Sequence, residues 1–218
     1  MKVEIWSDVM CPFCYIGKRK FERALEQFQN KNEVEIIWKS FQLNPQMKTD
    51  PNKNIKDYLA EVKGWTIDHA KQMNDHVTGM AKEVGLDYAL DTAVVANSFD
   101  AHRLIQLAKK HGKGNAAEEA LFKAYFTEGK NIADHNTLAA MGSDLGLDYA
   151  EISQMLESNL FAEDVEQDVY QAQQYGARGV PFFVMNEKYG VSGAQSSEVF
   201  LQTLEKSFAD WSKEKARE

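Results

Sequence analysis

The two cysteines of this chain form a Cys-x-x-Cys motif at residues 11–14, between a predicted strand at residues 3–7 and a helical pattern that begins at Ile16. This position places the first thiol, Cys11, at the start of a helix. Unpaired backbone N–H groups and the positive end of the helix dipole favour a thiolate there. Pro12 suits the first helical position, because its missing N–H costs no hydrogen bond. The motif therefore predicts thiol or redox chemistry, with Cys11 as the more acidic thiol.

Two other uses of a cysteine pair fit this sequence less well. A structural zinc site needs four ligands, but the chain has no second cysteine pair, and its five histidines lack the paired spacing of a zinc finger. A purely structural disulfide that closes so short a loop would gain little chain entropy. We therefore predict no metal site and favour redox chemistry.

The composition limits the class of protein. With 218 residues, 44% of them apolar, the chain can form one large domain or a domain that carries an insertion. A net charge of −8 argues against a nucleic-acid partner, because the surface would repel phosphates. No apolar run reaches the length of a membrane span, and no secretory signal precedes the first strand, so we expect a cytoplasmic protein without a membrane partner. In that compartment a lone cysteine pair is more often catalytic than structural.

Periodicity in the first 50 residues predicts a β-α-β unit. A strand at residues 3–7, a helix at about residues 12–30 and a strand at residues 34–41 follow one another, and Asn44-Pro45 closes the unit. Such a unit has parallel strands joined by a right-handed crossover.

The segment between Pro51 and Gly179 predicts helices and no strand. Its seven helical patterns lie at about residues 55–62, 66–84, 92–111, 115–128, 134–145, 148–157 and 161–175. The sequence Gly-Leu-Asp-Tyr-Ala occurs at residues 85–89 and again at residues 146–150. Each copy predicts a helix end at the glycine and a capping aspartate, Asp87 or Asp148, for the next helix.

After Gly179 the pattern changes back to strands. Residues 180–185 predict a buried strand opened by Pro181, and residues 189–192 predict a short second strand after a turn. A final helix follows, capped by Ser196 or Ser197.

Five stretches of the chain resemble, in order, the DsbA-like thioredoxin superfamily and, within it, the FrnE group of DsbA-family oxidoreductases. They are residues 7–17, 41–45, 97–103, 179–184 and 192–195. The resemblance implies an α/β thioredoxin-like fold with a large all-helical insertion between the β-α-β half and a hairpin half that begins at a cis-proline.

The same resemblance assigns domains and roles. Residues 1–50 and 179–218 would form the thioredoxin-like domain, and residues 51–178 the inserted helical domain. Cys11 would be the nucleophile, Cys14 the resolving thiol and Pro181 the cis-proline that faces them.

Phe13 marks a departure from DsbA itself, which carries histidine at this motif position. A histidinium there helps to hold a thiolate, so its absence predicts a less oxidising disulfide. Lys18, Arg19 and Lys20 favour a thiolate through space, and Asp8 opposes it. Such a run of cations most often forms a solvated helix face, which is what we expect here.

Kappa-class glutathione transferases and 2-hydroxychromene-2-carboxylate isomerases resemble the chain in the inserted helical domain but use serine at the position of Cys11. They supply the alternative function, a glutathione-dependent transferase or isomerase that acts on a small electrophile. Because such an enzyme needs no resolving thiol, Cys14 favours disulfide exchange.

Glutathione remains a candidate co-substrate for either function. The backbone of Val180 can pair with an extended thiol peptide. Backbone N–H groups near Ala194, Gln195 and Ser196, at the start of the last helix, can bind a carboxylate. The alternative is that these residues form only a loop with a helix cap.

Seven further residues are candidates for the walls of a site. The polar ones would line it or hold helices together, and the aromatic ones would pack or form the cleft wall, with Phe13 placed at the substrate. The seven are Asn97, Asp100, His102, Arg103, Phe13, Tyr15 and Trp38.

The sequence thus predicts a thiol-disulfide oxidoreductase with no cofactor of its own, whose partners are protein or small-molecule thiols and disulfides, including glutathione. A third alternative is a binding module that holds extended peptides beside Pro181, with incidental redox activity.

Overall fold

A computed structural model describes residues 1–216, which form six strands and nine α-helices. The strands are β1 (Lys2–Ser7), β2 (Glu35–Ser40), β3 (Asp50–Asn54), β4 (Val94–Val95), β5 (Phe182–Met185) and β6 (Tyr189–Ser192). The helices are α1 (Pro12–Gln27), α2 (Ile55–Lys63), α3 (Ile67–Glu83), α4 (Phe99–Lys110), α5 (Gly114–Phe126), α6 (His135–Asp144), α7 (Tyr149–Leu156), α8 (Ala162–Gln174) and α9 (Ser197–Lys215).

The main sheet has the strand order β2-β1-β5-β6. β1 pairs with β2 in parallel, with Ile5 opposite Trp38, as the β-α-β pattern predicts. β1 also pairs antiparallel with β5, where Ile5 lies opposite Phe183. β5 and β6 form an antiparallel hairpin. The first and last parts of the chain therefore meet at β1, the strand that leads into the cysteine motif.

Helices cover both faces of this sheet. On one face, Phe21 of α1 and Phe200 of α9 pack on Phe183 of β5. The ring centroids of Phe183 and Phe200 are 4.6 Å apart. On the other face, Trp6 packs against α8, and its indole N–H donates a hydrogen bond of 2.7 Å to the backbone oxygen of Asp168. β1 is consequently buried on both sides, and every residue after Lys2, including Glu4 and Ser7, is buried.

The helices of the middle segment enclose a second, larger apolar core. Leu104 and Leu107 of α4 and Leu121 and Phe122 of α5 are fully buried in it. Both motif cysteines belong to the same cluster. The cysteine motif therefore lies where the sheet and the helical segment meet.

The predicted caps at Asp148 and Ser196 are confirmed, and two further helices begin in the same way. The side chains of Thr66, Asp134, Asp148 and Ser196 each accept a hydrogen bond from a backbone N–H in the first turn of the helix that follows. Gly146 ends a helix with a φ of +71°, a conformation that suits glycine.

Three predictions for the middle segment are wrong in detail. β3 and β4 pair antiparallel where no strand was expected, because the β-branched pair Val94-Val95 favours extended backbone. The third helix consequently begins at Phe99 rather than near residue 92. Asp87 caps no helix, since Leu86, Tyr88 and Leu90 are buried at alternate positions of a non-helical segment. The division into domains near residues 50 and 179 stays a prediction.

Gly17 of α1 allows the helix to pack directly on the loop that contains Pro181. A Cβ atom at Gly17 would lie 2.9 Å from Cγ of Pro181 and 3.5 Å from Cβ of Ala194. We expect Gly17→Ala to lower the free energy of unfolding by about 1–3 kcal/mol, because the ring of Pro181 would have to move away from the new methyl group. Denaturant unfolding measures this.

Gly79→Ala is the matched control, because a Cβ at this helical glycine of α3 meets nothing within 4 Å. The control should raise the free energy of unfolding by about 0.5–1 kcal/mol through helix propensity. Equal stabilisation of both variants would contradict the close packing at Gly17.

Candidate active site

The cysteine motif forms the junction between β1 and α1. Cys11 is the residue that precedes the first turn of α1, in extended conformation, and Pro12 occupies the first helical position. The backbone N–H of Cys11 donates to the carbonyl of Asp8 at 2.8 Å, and that of Cys14 donates to the carbonyl of Cys11 at 3.0 Å. The structure thus places Cys11 at the helix terminus and Cys14 within the first turn.

Both cysteines are free thiols with little exposed surface, 3% for Cys11 and 1% for Cys14. Burial, and next the hydrogen bond and charge of Cys11, raise the pKa of the Cys14 thiol well above its usual value. Cys14 therefore holds its proton at neutral pH, and a reaction that uses its sulfur as a nucleophile has to remove that proton.

The loop before β5 lies against Cys11. The Val180–Pro181 peptide bond is cis, the geometry that the resemblance implies. The Cys11 thiol donates to the carbonyl oxygen of Val180, with 3.5 Å between sulfur and oxygen, across 169 residues of sequence. The backbone N–H of Gly193 donates to the carbonyl of Pro181 at 2.8 Å and ties the loop to the end of β6. Val180, Pro181 and Cys11 are therefore brought together.

The predicted glutathione-binding residues lie beside this loop, but two of their side chains are occupied there. Gln195 donates its side-chain amide to the carbonyl of Ser192 at 2.9 Å, and the Ser196 hydroxyl caps α9. The carbonyl of Ala194 accepts a hydrogen bond from Nζ of Lys20 at 3.2 Å. These contacts favour the loop-and-cap interpretation for the side chains of residues 194–196.

The expected solvated face of cations is wrong for Lys18 and Arg19. Lys18 is only 2% exposed, and its ammonium lies 2.7 Å from the Glu119 carboxylate of α5 and also pairs with Glu22. Arg19 pairs with the same two carboxylates. Although burial alone would raise it, hydrogen bonds from Arg19 and Lys18 lower the pKa of Glu119 to about 2. The two carboxylates neutralise the cations, which limits their influence on the Cys11 sulfur.

The aromatic candidates separate into packing residues and one exposed residue. Tyr15 stacks on Phe122, with ring centroids 4.7 Å apart, and donates its hydroxyl to Glu119 at 2.6 Å. Trp38 is buried and donates its indole N–H to Asn115 at 2.9 Å. Phe13 is 38% exposed and is the side chain of the motif that solvent reaches most easily.

Two of the polar candidates hold loops in place. Nε of Arg103 donates to the carbonyl of Leu160 at 2.9 Å, and Nη1 donates to Asp100 at 2.7 Å. The side-chain amide of Asn97 donates to the carbonyl of Met47 at 2.8 Å. His102 differs, because it is fully buried and its Nε2 lies 3.5 Å from a carboxylate oxygen of Asp8, directly before the motif.

Glu118 and Ser7 are buried polar residues beneath the motif that we did not predict. Glu118 of α5 is 2% exposed, and burial raises its pKa to about 7, against smaller opposite effects of Ser7, His102 and Lys18. Its position was detectable in the sequence. Residues 114, 117, 118, 121, 122 and 125 share the buried face of α5, so Glu118 is an acid within a helical apolar stripe.

Open clefts lie elsewhere on the surface. One of them, of about 670 Å³, lies between the segment after β2, the start of α4 and α8, and Asn97 and Asp100 line it. Neither cysteine and no residue of the Pro181 loop lines this cleft. Within residues 1–216, no group of three His, Cys, Asp or Glu side chains is arranged to hold a metal ion, and no helix has the length and apolarity of a membrane span.

Similarity to known proteins covers most of the chain. The family model of the DSBA-like thioredoxin domain matches residues 2–205. The crystal structure of a probable DsbA oxidoreductase from Streptomyces coelicolor is 36% identical and superposes with a TM-score of 0.91, covering 96% of this chain and 90% of that chain. These findings confirm the α/β thioredoxin-like fold with a helical insertion.

Two more distant structures share the fold. The cytosolic disulfide reductase DsbM from Pseudomonas aeruginosa, with GSH, is 16% identical with a TM-score of 0.68 and covers 96% of this chain and 100% of that chain. A 2-hydroxychromene-2-carboxylate isomerase is 15% identical with a TM-score of 0.67 and covers 100% of this chain and 98% of that chain. At this identity the likeness extends to the fold alone.

The pKa of Glu118 predicts a pH-dependent stability. Because its pKa rises from 4.5 to about 7 on folding, the folded protein binds more protons than the unfolded chain between these values, and stability falls as pH increases through that window. Glu118→Gln lacks this loss, so its stability relative to the unchanged protein should increase by on the order of 3 kcal/mol between pH 4 and pH 8. Denaturant unfolding at several pH values measures the difference.

Glu119→Gln is the control, with the opposite sign. The pKa of Glu119 is lowered to about 2, so its contribution is present above 4.5 and is lost as pH falls through 2. The control should therefore be less stable than the unchanged protein at pH 7 and approach it in strong acid. A Glu118→Gln advantage that does not grow with pH would contradict the raised pKa.

Proposed function

The chain belongs to the DSBA-like thioredoxin domain family, and we propose that it is a thiol-disulfide oxidoreductase of the FrnE group that exchanges disulfides through Cys11 and Cys14. The observation that carries this proposal is the position of the Cys11 sulfur, at the N-terminus of α1 and 3.5 Å from the carbonyl oxygen of Val180. A helix terminus favours a thiolate, and a backbone edge beside the sulfur suits an extended peptide.

The proposed reaction has two steps. The Cys11 thiolate attacks one sulfur of a substrate disulfide, and the other substrate sulfur leaves as a thiolate that takes a proton from solvent. Cys14 then loses its proton and attacks the Cys11 sulfur, which releases the second substrate sulfur. The substrate disulfide is reduced to two thiols, and Cys11 and Cys14 are oxidised to a disulfide. The reverse sequence oxidises a dithiol.

Partners and compartment are part of the same proposal. The substrates are protein or small-molecule thiols and disulfides, with glutathione as a candidate co-substrate and the cytoplasm as the compartment. Support comes from DsbM, which shares the fold and is described as a cytosolic disulfide reductase with GSH. Residues Val180 and Phe13, at the edge of the motif, are the proposed substrate contacts.

A glutathione-dependent transferase or isomerase has less support. Its basis is a shared fold with an isomerase at 15% identity. A transferase has no use for Cys14, whose buried thiol lies within hydrogen-bonding reach of Cys11. The side chains of Gln195 and Ser196, expected to help a carboxylate ligand, are bound within their own loop.

Removal of the resolving thiol tests the mechanism. In Cys14→Ser, the Cys11 thiolate can still attack but the mixed disulfide cannot be released internally, so a covalent adduct with glutathione should accumulate after addition of glutathione disulfide. Intact-protein mass spectrometry measures the adduct. The unchanged protein should show little adduct, and Cys11→Ser should show none.

The opposite results would reject the dithiol mechanism. Turnover of disulfides by Cys14→Ser at the rate of the unchanged protein would indicate a monothiol cycle. Adduct formation on Cys11→Ser would show that Cys11 is not the cysteine that attacks the substrate disulfide.

Phe13 provides a test of redox tuning. Phe13 lies between the cysteines and is partly exposed, so a histidine there can carry a positive charge near the Cys11 sulfur. We expect Phe13→His to stabilise the thiolate form and to raise the reduction potential, by about 30 mV for each 1.4 kcal/mol of stabilisation. Equilibration with a glutathione couple measures the potential, and Phe13→Leu controls for loss of the ring. A potential for Phe13→His equal to that of Phe13→Leu would show that charge at this position does not tune the site.

A further inference from the structure

Tyr88 lies against the middle of the cysteine motif. It belongs to the non-helical segment between α3 and β4, and it is 6% exposed. Its hydroxyl donates a hydrogen bond of 2.7 Å to the carbonyl oxygen of Pro12, across 76 residues of sequence. Tyr88 thus joins the helical segment to a peptide group that lies between the two cysteines.

Packing holds the Tyr88 ring in this place. The ring stacks on Phe126 of α5, with centroids 4.6 Å apart, and lies 6.1 Å from the ring of Tyr15. The next backbone N–H, of Ala89, donates to the carbonyl of Phe126 at 2.6 Å. The tyrosine of the second Gly-Leu-Asp-Tyr-Ala copy, Tyr149, is 65% exposed, so the position of Tyr88 comes from these contacts and not from the repeated sequence.

The Tyr88 hydroxyl stays a donor when the site ionises. Burial, and next the charges of Cys11 and Cys14, raise the pKa of Tyr88 well above its usual value. The hydroxyl therefore keeps its proton while Cys11 becomes a thiolate, and its hydrogen bond to the motif persists.

Ionisation of Cys11 changes the hydrogen bonds that its sulfur can make. The thiol donates to the carbonyl of Val180 and does not cap α1. A thiolate can only accept, and a side chain at this position accepts from the backbone N–H of the second or third helical residue. The third residue, Cys14, already donates its N–H to the Cys11 carbonyl at 3.0 Å. The N–H of the second residue, Phe13, is therefore the donor available to the thiolate.

The Pro12 carbonyl and the Phe13 N–H belong to one peptide group. A hydrogen bond to the oxygen of a peptide group polarises it and strengthens the bond that its N–H donates, by about 10–30%. The hydrogen bond from Tyr88 to Pro12 consequently makes the Phe13 N–H a stronger donor.

Charged side chains around the motif are paired with other groups. Lys18 and Arg19 bind carboxylates of α1 and α5. The Asp8 carboxylate accepts a hydrogen bond from the backbone N–H of Leu43 at 2.8 Å, and Nε2 of His102 lies 3.5 Å from its other oxygen. A polarised peptide thus offers the thiolate an interaction that these paired charges do not supply.

We propose that Tyr88 is a positioning residue of the redox site, whose hydroxyl polarises the peptide group after Pro12 and so stabilises the Cys11 thiolate. This inference rests on the proposed disulfide exchange, in which Cys11 attacks as a thiolate. On ionisation the proton of Cys11 passes to solvent, and Tyr88 keeps its own. Because the disulfide form has no thiolate to stabilise, Tyr88 also raises the reduction potential of the pair.

Removal of the hydroxyl in Tyr88→Phe tests the proposal. On a Cys14→Ser background Cys11 is the single cysteine, and the pH profile of its alkylation by iodoacetamide reports the thiolate fraction. At pH values below the midpoint of this profile, we expect the thiolate fraction to fall about 2- to 5-fold, which moves the midpoint to higher pH. With both cysteines present, the same change should lower the potential against a glutathione couple by about 10–20 mV.

Tyr125→Phe is the matched control. Tyr125 is 1% exposed and contacts the same Phe126 ring edge-on, with centroids 5.0 Å apart. Its hydroxyl donates at 3.1 Å to the carbonyl of Val94 in β4 and not to the motif. Each variant loses one buried hydrogen bond, so both should lose similar stability in denaturant unfolding. Only Tyr88→Phe should move the alkylation midpoint and the potential.

A conservative variant carries 3-fluorotyrosine in place of Tyr88. It keeps the ring and the hydroxyl, and the fluorine makes the hydroxyl a stronger donor. The alkylation midpoint should therefore move to lower pH, opposite to the shift in Tyr88→Phe. A tyrosine that served packing alone would not produce shifts of opposite sign.

The outcomes separate this inference from the proposed function. If the unchanged protein forms neither a glutathione adduct nor an intramolecular disulfide, the proposed function is wrong, and this inference is wrong with it. If these products form but Tyr88→Phe has the alkylation midpoint and the potential of Tyr125→Phe, only this inference is overturned. Should Tyr88→Phe fail to fold, the 3-fluorotyrosine variant decides, and a midpoint equal to that of the unchanged residue overturns the proposal.

Discussion

The antiparallel pairing of β1 with β5 is the contact on which the rest of this molecule depends. It joins the first strand of the chain to a strand that begins at Phe182 and so closes a loop that contains all of the helical segment. Closing so long a loop costs entropy, which the buried aromatic layer of Phe21, Phe183 and Phe200 offsets by removing apolar surface from water. This pairing also positions the Val180 carbonyl, which directly precedes Pro181 and β5, beside the Cys11 sulfur.

The helical segment contributes to the site as well as to the core. α5 supplies Glu119, which binds the cations of α1, and Glu118, which is buried near Ser7 and His102. Because Lys18 and Arg19 are paired with carboxylates, they add little to the positive potential that the backbone N–H groups at the start of α1 create at Cys11. The charge environment of the α1 cations therefore depends on residues of the helical segment as well as on α1 itself.

What could be predicted from sequence was whatever depends on neighbouring residues. The parallel β-α-β unit and the caps at Asp148 and Ser196 depend on local patterns and are confirmed. The pairing of Arg19 with Glu119 could not be predicted in this way, because Glu119 lies 100 residues further along the chain. Glu118 falls between these cases, because the periodicity of α5 places an acid on the buried face while its neighbours Ser7 and His102 come from β1 and α4.

Attack and resolution would draw on different parts of the chain in such a site. Attack depends on the helix terminus at Cys11 and on the Val180 edge, both within the thioredoxin-like part. Resolution depends on the proton of Cys14, whose pKa is raised by burial under the helical segment. In the proposed exchange, the lifetime of a mixed disulfide would therefore depend on the contact between the sheet and the insertion. A change in the packing of α4 can lengthen or shorten that lifetime and leave the reactivity of the first cysteine unchanged.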